Sequence, residues 1–240
     1  MRDILLLSTS TVHGTRFLEY AESDIQAFFS GRSVLFVPLA RPGGASHEAY
    51  TDLAKGRFEE MGLGLAGLHE FEDPVQALQE AEGVFVGGGN TFVLLRDLYA
   101  AGVMETLRAR ALAGMPYMGS SAGSNLAGLT IGTTNDMPIV MPPSFDALGL
   151  VPFNINPHYL DPDPDSRHMG ETRETRIGEF HHFNSQPVLG LREGAMLRVR
   201  GDSARVEGQQ GGRLFRPGED PAEIDSGDDV SFLVASNPGR

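Results

Sequence analysis

Over its first two thirds the 240-residue chain alternates short β-rich runs with longer amphipathic stretches. Parallel strands need crossover connections, usually helices, which cover both faces of the sheet; the alternation therefore predicts an α/β fold with a mainly parallel sheet flanked by helices. The strand candidates are Ile4–Ser8, Val34–Leu39, Leu63–Leu68, Gly83–Val86 and Pro116–Gly119. Between the first two, Phe17, Leu18, Ala21, Ile25, Phe28 and Phe29 recur at helical spacing, with Gly31 where a C-terminal cap would sit. After about residue 183 the texture changes to Val188–Leu191, Ala195–Val199, Ala204–Glu207, Gly212–Phe215 and Val230–Val234, separated by turn residues, which reads as a C-terminal antiparallel β segment. The acidic stretch Glu219–Asp229, with Pro221 inside it, reads as a solvated loop. At this length a single domain over residues 1–240 is the expectation.

Charge and cysteine usage narrow the function classes. Nineteen Lys and Arg against 32 Asp and Glu give a net charge of −13, which disfavours phosphate backbones and anionic membranes as partners. Zero cysteines exclude disulfides, thiolate metal sites and a cysteine nucleophile. No apolar stretch approaches the ~20 residues a membrane helix needs, and Met1-Arg2-Asp3 followed by Ile4–Leu7 is too short and acidic for a signal peptide, so a cytoplasmic location is expected.

Gly119-Ser120-Ser121-Ala122-Gly123 has the G-x-S-x-G form, between a strand candidate and the helix-compatible Ser124–Leu129. Flanking glycines permit a sharp turn that lifts Ser121 above the sheet end as a nucleophile and aims the Ala122 N–H at a developing oxyanion. Val86-Gly87-Gly88-Gly89-Asn90-Thr91 stands in the same strand-to-helix setting, and its glycine N–H groups are candidates for the second oxyanion donor. A phosphate loop is the competing reading, but the G-K-[ST] ending is missing. Two such turns at neighbouring strand ends converge where open α/β sheets bind ligands.

An activated serine needs a base. Of His13, His47, His69, His158, His168, His181 and His182, only His158 has a distinctive setting, ending the run Asn154-Ile155-Asn156-Pro157 where proline stops an extended segment and leaves the histidine on a loop. The His181-His182 pair lacks any companion at metal-ligand spacing, and no metal is expected. For the carboxylate that would orient the imidazole, spacing leaves Asp136 and Glu193 both open.

The chain resembles the serine peptidase family of peptidase E, the α-aspartyl dipeptidases, which also includes cyanophycinase. The matching segments are Leu5-Leu6-Leu7-Ser8, Val86–Phe92, Gly119–Asn125, Thr133–Val140, Phe145–Leu148, Ile155–His158 and Gly170–Glu174. The resemblance implies a class I glutamine amidotransferase-like fold, with Ser121 as nucleophile, His158 as base, Glu193 as orienting acid, and Gly88 and Ala122 N–H groups as oxyanion hole. It implies a dipeptide substrate with free N-terminal aspartate whose side chain meets Arg173, with Gly89, Asn90 and Asp136 lining the pocket, no cofactor, and a homodimer. Three places depart from the pattern: Gly132 stands where relatives carry arginine, Arg192 replaces a proline and could compete with His158 for Glu193, and His181-His182 fall in an apolar stretch. The alternatives are a related serine peptidase with another N-terminal preference, an esterase of α/β-hydrolase type with the order Ser121, Asp136, His158, and a binding protein without catalysis.

Overall fold

The computed structural model describes residues 1–43, 46–165, 167 and 169–235. Their strands form two sheets. The larger has seven strands in the order β3 (Leu65–Gly67), β2 (Val34–Val37), β4 (Gly83–Val86), β5 (Tyr117–Ser120), β1 (Asp3–Leu7), β8 (Ala195–Arg200), β9 (Ser203–Gly208). The first five run parallel, and β8 and β9 extend the sheet antiparallel beyond β1. The smaller sheet has the order β11 (Ala222–Ile224), β10 (Gly212–Phe215), β7 (Val188–Arg192), β6 (Asn154–Tyr159).

Side-chain alternation along the strands builds a core on each face of the large sheet. Ile4, Leu6, Leu35, Val37, Val84, Val86 and Tyr117 enter one cluster, while Leu5, Leu7, Val34, Phe36, Phe85 and Met118 enter the other. Helices α1 (Glu22–Phe29) and α2 (His47–Glu60) cover the second face with Ile25, Phe28, Phe29, Tyr50, Ala54 and Phe58. Helices α3 (Pro74–Glu80), α4 (Thr91–Ala100), α5 (Met104–Ala113) and α6 (Ala122–Leu126) cover the first. Helix α7 (Arg173–His181) lies against the small sheet through Ile177. No helix among the described residues is long and apolar enough to cross a membrane.

The five N-terminal strands fall where the sequence places them, while several details of the tail differ. The tail is divided: β8 and β9 join the large sheet, and β7 pairs parallel with β6 in the small one. Val230–Val234 is no strand, because Asp229 Oδ1 accepts the Ser231 N–H at 2.8 Å and turns the chain into helix α8 (Phe232–Ala235). Part of the acidic loop, Ala222–Ile224, pairs as a strand with β10. Helix α1 begins only at Glu22, and its left-handed C-cap is Ser30 at φ 48°, one residue before Gly31.

Candidate active site

The carboxyl ends of β4, β5 and β1 lie side by side, and the Gly119–Gly123 turn is wedged among them. The Ser121 N–H donates to Leu7 O at 3.0 Å, and Ser124 Oγ donates to both Leu7 O and Gly119 O. Ser121 is held at φ 53°, ψ −109°, a conformation that costs a non-glycine residue about 1–3 kcal/mol. Positions 119 and 123 must be glycine because backbone passes too close: a Cβ on Gly123 would stand 2.2 Å from Val86 O, and one on Gly119 2.4 Å from Gly123 O. We expect Gly123→Ala to cost about 3 kcal/mol, the upper range of overpacking, and to lower the thermal midpoint by about 6–12 °C. An unchanged melting curve would show that the turn has room to move.

His158 reaches Ser121 from the other sheet, and its setting differs from the expected loop. It lies within β6, at a bulge: Asn156 pairs with Gly190 and Tyr159 with Arg192, so β6 carries one extra residue across this interval. The bulge holds His158 at φ 53°. Its N–H donates to Ser8 Oγ at 2.9 Å, and Ser8 Oγ donates in turn to Leu191 O at 2.7 Å, so one hydroxyl ties the end of β1 to β6 and β7 of the small sheet. His158 Nε2 stands 2.9 Å from Ser121 Oγ, and Nδ1 stands 2.7 Å from Glu193 Oε1 in the turn after β7.

Of the two carboxylates that spacing leaves open, Glu193 touches His158 and Asp136 has other partners. Asp136 Oδ2 accepts from Thr91 N at 2.7 Å, Thr91 Oγ1 at 2.6 Å and Thr134 Oγ1 at 3.2 Å, at the N-terminus of α4. Asn90 caps the same helix through Val93 N and donates to Met137 O at 2.9 Å. On the other side of this loop, Asn156 Nδ2 donates to Thr133 O and Asn135 Oδ1, and Asn135 Nδ2 donates to Pro157 O at 2.7 Å. Residues 133–137 thus connect the glycine-rich turn to the His158 bulge.

The glycine-rich turn is held largely through its backbone N–H groups. Gly88 is buried and its N–H donates to the Tyr50 hydroxyl at 3.0 Å, so it is already committed. Burial raises the Tyr50 pKa and keeps that hydroxyl protonated. Gly87 N–H goes to Val37 O, Asn90 N–H to Ala40 O and Thr91 N–H to Asp136. Among the described residues, Gly89 N–H and Ala122 N–H have no acceptor, and Gly89 is partly open to solvent.

Arg173 is the first residue of α7, whose N-cap is Thr172. It is half-buried and forms no ion pair with the described residues. Burial, then the neighbouring Arg176, pull its pKa below the ordinary arginine range, against the opposing charge of Asp136. Gly132 lies beneath α7, where a Cβ would come within 3.1 Å of the Phe180 ring. His181 Nε2 lies 3.1 Å from Gln186 O and its ring packs on Phe180. Arg192 does not compete for Glu193: its guanidinium is taken by Asp161 and Glu223. Sequence reasoning assigned no role to Tyr50 or Ser8; the Leu-Leu-Leu-Ser run was the one available signal for the latter. His168 lies outside the described residues.

The chain is similar to known proteins over nearly its full length. A peptidase E of Streptomyces coelicolor is 52% identical over 233 residues, covering 97% of this chain and 95% of that protein. The protein of Drosophila melanogaster named "Probable alpha-aspartyl dipeptidase" is 47% identical over 237 residues, covering 97% and 98%. The crystal structure of a peptidase from an acI-B1 actinobacterium superposes with a TM-score of 0.74 at 16% identity, covering 96% of this chain and 97% of that one, a likeness that supports the α/β fold expected of a class I glutamine amidotransferase-like chain. Residues 4–207 match Peptidase family S51, and the chain belongs to that family.

Proposed function

We propose that the protein is a serine exopeptidase that hydrolyses dipeptides with N-terminal aspartate through an acyl-enzyme on Ser121. The observation that carries this reading is the continuous run from Ser121 Oγ through His158 to Glu193, at 2.9 and 2.7 Å. His158 Nε2 takes the Ser121 proton as Oγ attacks the first peptide carbonyl. Charge on the tetrahedral oxygen is met by the Ala122 N–H together with a glycine N–H of the 87–89 turn, whose Gly88 lies against Ser121. The imidazolium, held by Glu193 at Nδ1, then protonates the departing amine. Water, deprotonated by His158, attacks the ester carbonyl, and the proton returns to Ser121 Oγ as aspartate leaves.

Substrate choice rests on Arg173. A half-buried guanidinium that forms no ion pair with the described residues suits the side-chain carboxylate of an N-terminal aspartate, which can accept two of its N–H groups. A chain of net charge −13 repels anions overall, so attraction must be local. In this reading Asp136, bound to the N-terminus of α4, supports the pocket, and its negative charge favours the charged form of Arg173. Cytoplasmic action and a homodimer belong to the same reading, the dimer resting on family resemblance alone; gel filtration tests it.

Hydrolysis of Asp-Leu, Glu-Leu, Ala-Leu and N-acetyl-Asp-Leu, with EDTA present, tests the assignment. We expect cleavage of Asp-Leu and none of the acetylated peptide. Arg173→Met should lower kcat/KM for Asp-Leu by about 10- to 150-fold, the equivalent of the ~1.5–3 kcal/mol of a charge-assisted hydrogen bond, and leave Ala-Leu nearly unaffected. Folded protein that ignores Asp-Leu, or cleaves Ala-Leu equally well, would sink the aspartyl reading.

A further inference from the structure

The His158 bulge is anchored from below by Ser8 and Asn135, and what holds it from above is a second, separate device. Past the bulge, pairing of β6 with β7 resumes at Tyr159 and Arg192. Two residues further on, Asp161 accepts a fork from Arg192, with Nε to Oδ2 at 2.7 Å and Nη2 to Oδ1 at 2.8 Å. The rest of the same guanidinium reaches Glu223 on β11, through Nη1 to Oε1 and Nη2 to Oε2 at 3.0 Å. The Arg192 side chain is only 19% exposed, and its guanidinium lies 5.9 Å from the Tyr159 ring centroid. Arg213 on β10 adds contacts to Asp161 at 3.9 Å and Glu223 at 3.8 Å, and pairs with Glu174 at 3.1 Å.

Isolated surface ion pairs contribute little, but this one is bidentate, partly buried and shared among several strands. Its position also matters. Arg192 immediately precedes Glu193, and Asp161 lies three residues after His158. The fork therefore closes the segment that carries the imidazole against the segment that carries its carboxylate partner.

We infer that Arg192 is a positioning residue for the hydrolytic reaction: by clamping Asp161 and Glu223 it fixes the far side of the β6 bulge, and so the 2.7 Å contact between His158 and Glu193. The inference rests on the Ser121–His158–Glu193 reading. It requires that loosening the clamp impair the chemical step and not the capture of substrate, since displacements of about 1 Å by remote substitutions cost up to ~100-fold in rate.

The test uses the full chain and the variants Arg192→Met, Arg192→Lys, Asp161→Asn and the double variant Arg192→Met/Asp161→Asn. Two readouts are taken below the melting transition of each: kcat and KM for Asp-Leu, and the rate of inactivation by diisopropyl fluorophosphate. In the second, Ser121 Oγ displaces fluoride from phosphorus while His158 takes its proton, with no aspartyl recognition involved. We expect Arg192→Met and Asp161→Asn each to lower kcat and the inactivation rate together by about 10- to 100-fold, with KM within threefold. The double variant should be no slower than the slower single variant, because both remove one shared contact. Arg192→Lys keeps the charge without the fork, so it should recover the melting temperature and not the rates. Asp161 is half in solvent, so its variant keeps the test available if Arg192→Met does not fold. Wild-type rates in both folded variants, a rise in KM alone, or full recovery by lysine would overturn the inference. If wild type ignores Asp-Leu but is inactivated, the aspartyl dipeptidase reading fails and the inactivation rates still decide the role of Arg192; a wild type inert to both overturns both.

Discussion

Ser121→Ala is expected to lower kcat for Asp-Leu by on the order of 10⁶, the loss seen when the nucleophile of a serine triad is removed. The fold should survive. The hydrogen bonds that seat the turn, from Ser121 N–H to Leu7 O and from the Ser124 hydroxyl to Leu7 O and Gly119 O, do not use the Ser121 side chain. Alanine also accepts the φ 53° conformation at no greater cost than serine. Initial rates, measured alongside a circular dichroism melt, check both halves. More than 1% residual activity in a folded variant would mean that another group opens the peptide bond.

Glu193→Gln should lower kcat by about 10³- to 10⁴-fold, whereas Asp136→Asn should cost less than tenfold. The first value follows from proton placement. A glutamine amide can donate to His158 Nδ1, which puts the imidazole proton on Nε2, facing Ser121 Oγ, and leaves no lone pair there to accept the serine proton. Both His158 and Glu193 are partly exposed, so solvent screening argues for the lower end of the range. Asp136 holds two threonines and the start of α4, and an asparagine oxygen still accepts from Thr91 N–H. Steady-state rates for the two variants separate the assignments. Activity retained in Glu193→Gln and lost in Asp136→Asn would transfer the orienting role to Asp136.

The reasons for partial legibility are physical. The G-x-S-x-G turn was readable because its requirement is local: backbone packs within 2.5 Å of where side chains would begin, and only glycine permits that. The five parallel strands were readable for a similar reason, since each is a buried apolar run with turn residues at its ends. Spacing alone leaves the partner of His158 open, and only the family resemblance points to Glu193, because the bulge that aims the ring arises from pairing between β6 and β7. Tyr50 escaped notice because its hydroxyl meets Gly88 38 residues away, and nothing local marks a buried tyrosine as a loop support. Val230–Val234 has strand-like composition, yet one Asp229-to-Ser231 hydrogen bond decides its conformation. Arg192 suggests a rival for His158 because adjacency in sequence says nothing about side-chain direction: Arg192 ends β7 and reaches Asp161 and Glu223, while Glu193 opens the following turn and meets His158.

The Ser8 hydroxyl has a further consequence for how the molecule comes into being. Ser8 is made among the first residues, but its two partners follow 150 and 183 positions later. Contacts of such separation form late, after the intervening chain has been synthesised and its loops closed. Ser121 and its turn can be in place while the histidine and its carboxylate are still to come. On the proposed reading, a nascent chain halted before residue 158 would carry the serine without its base, one halted before residue 193 would lack the carboxylate, and full activity would wait until most of the polypeptide had been made and folded.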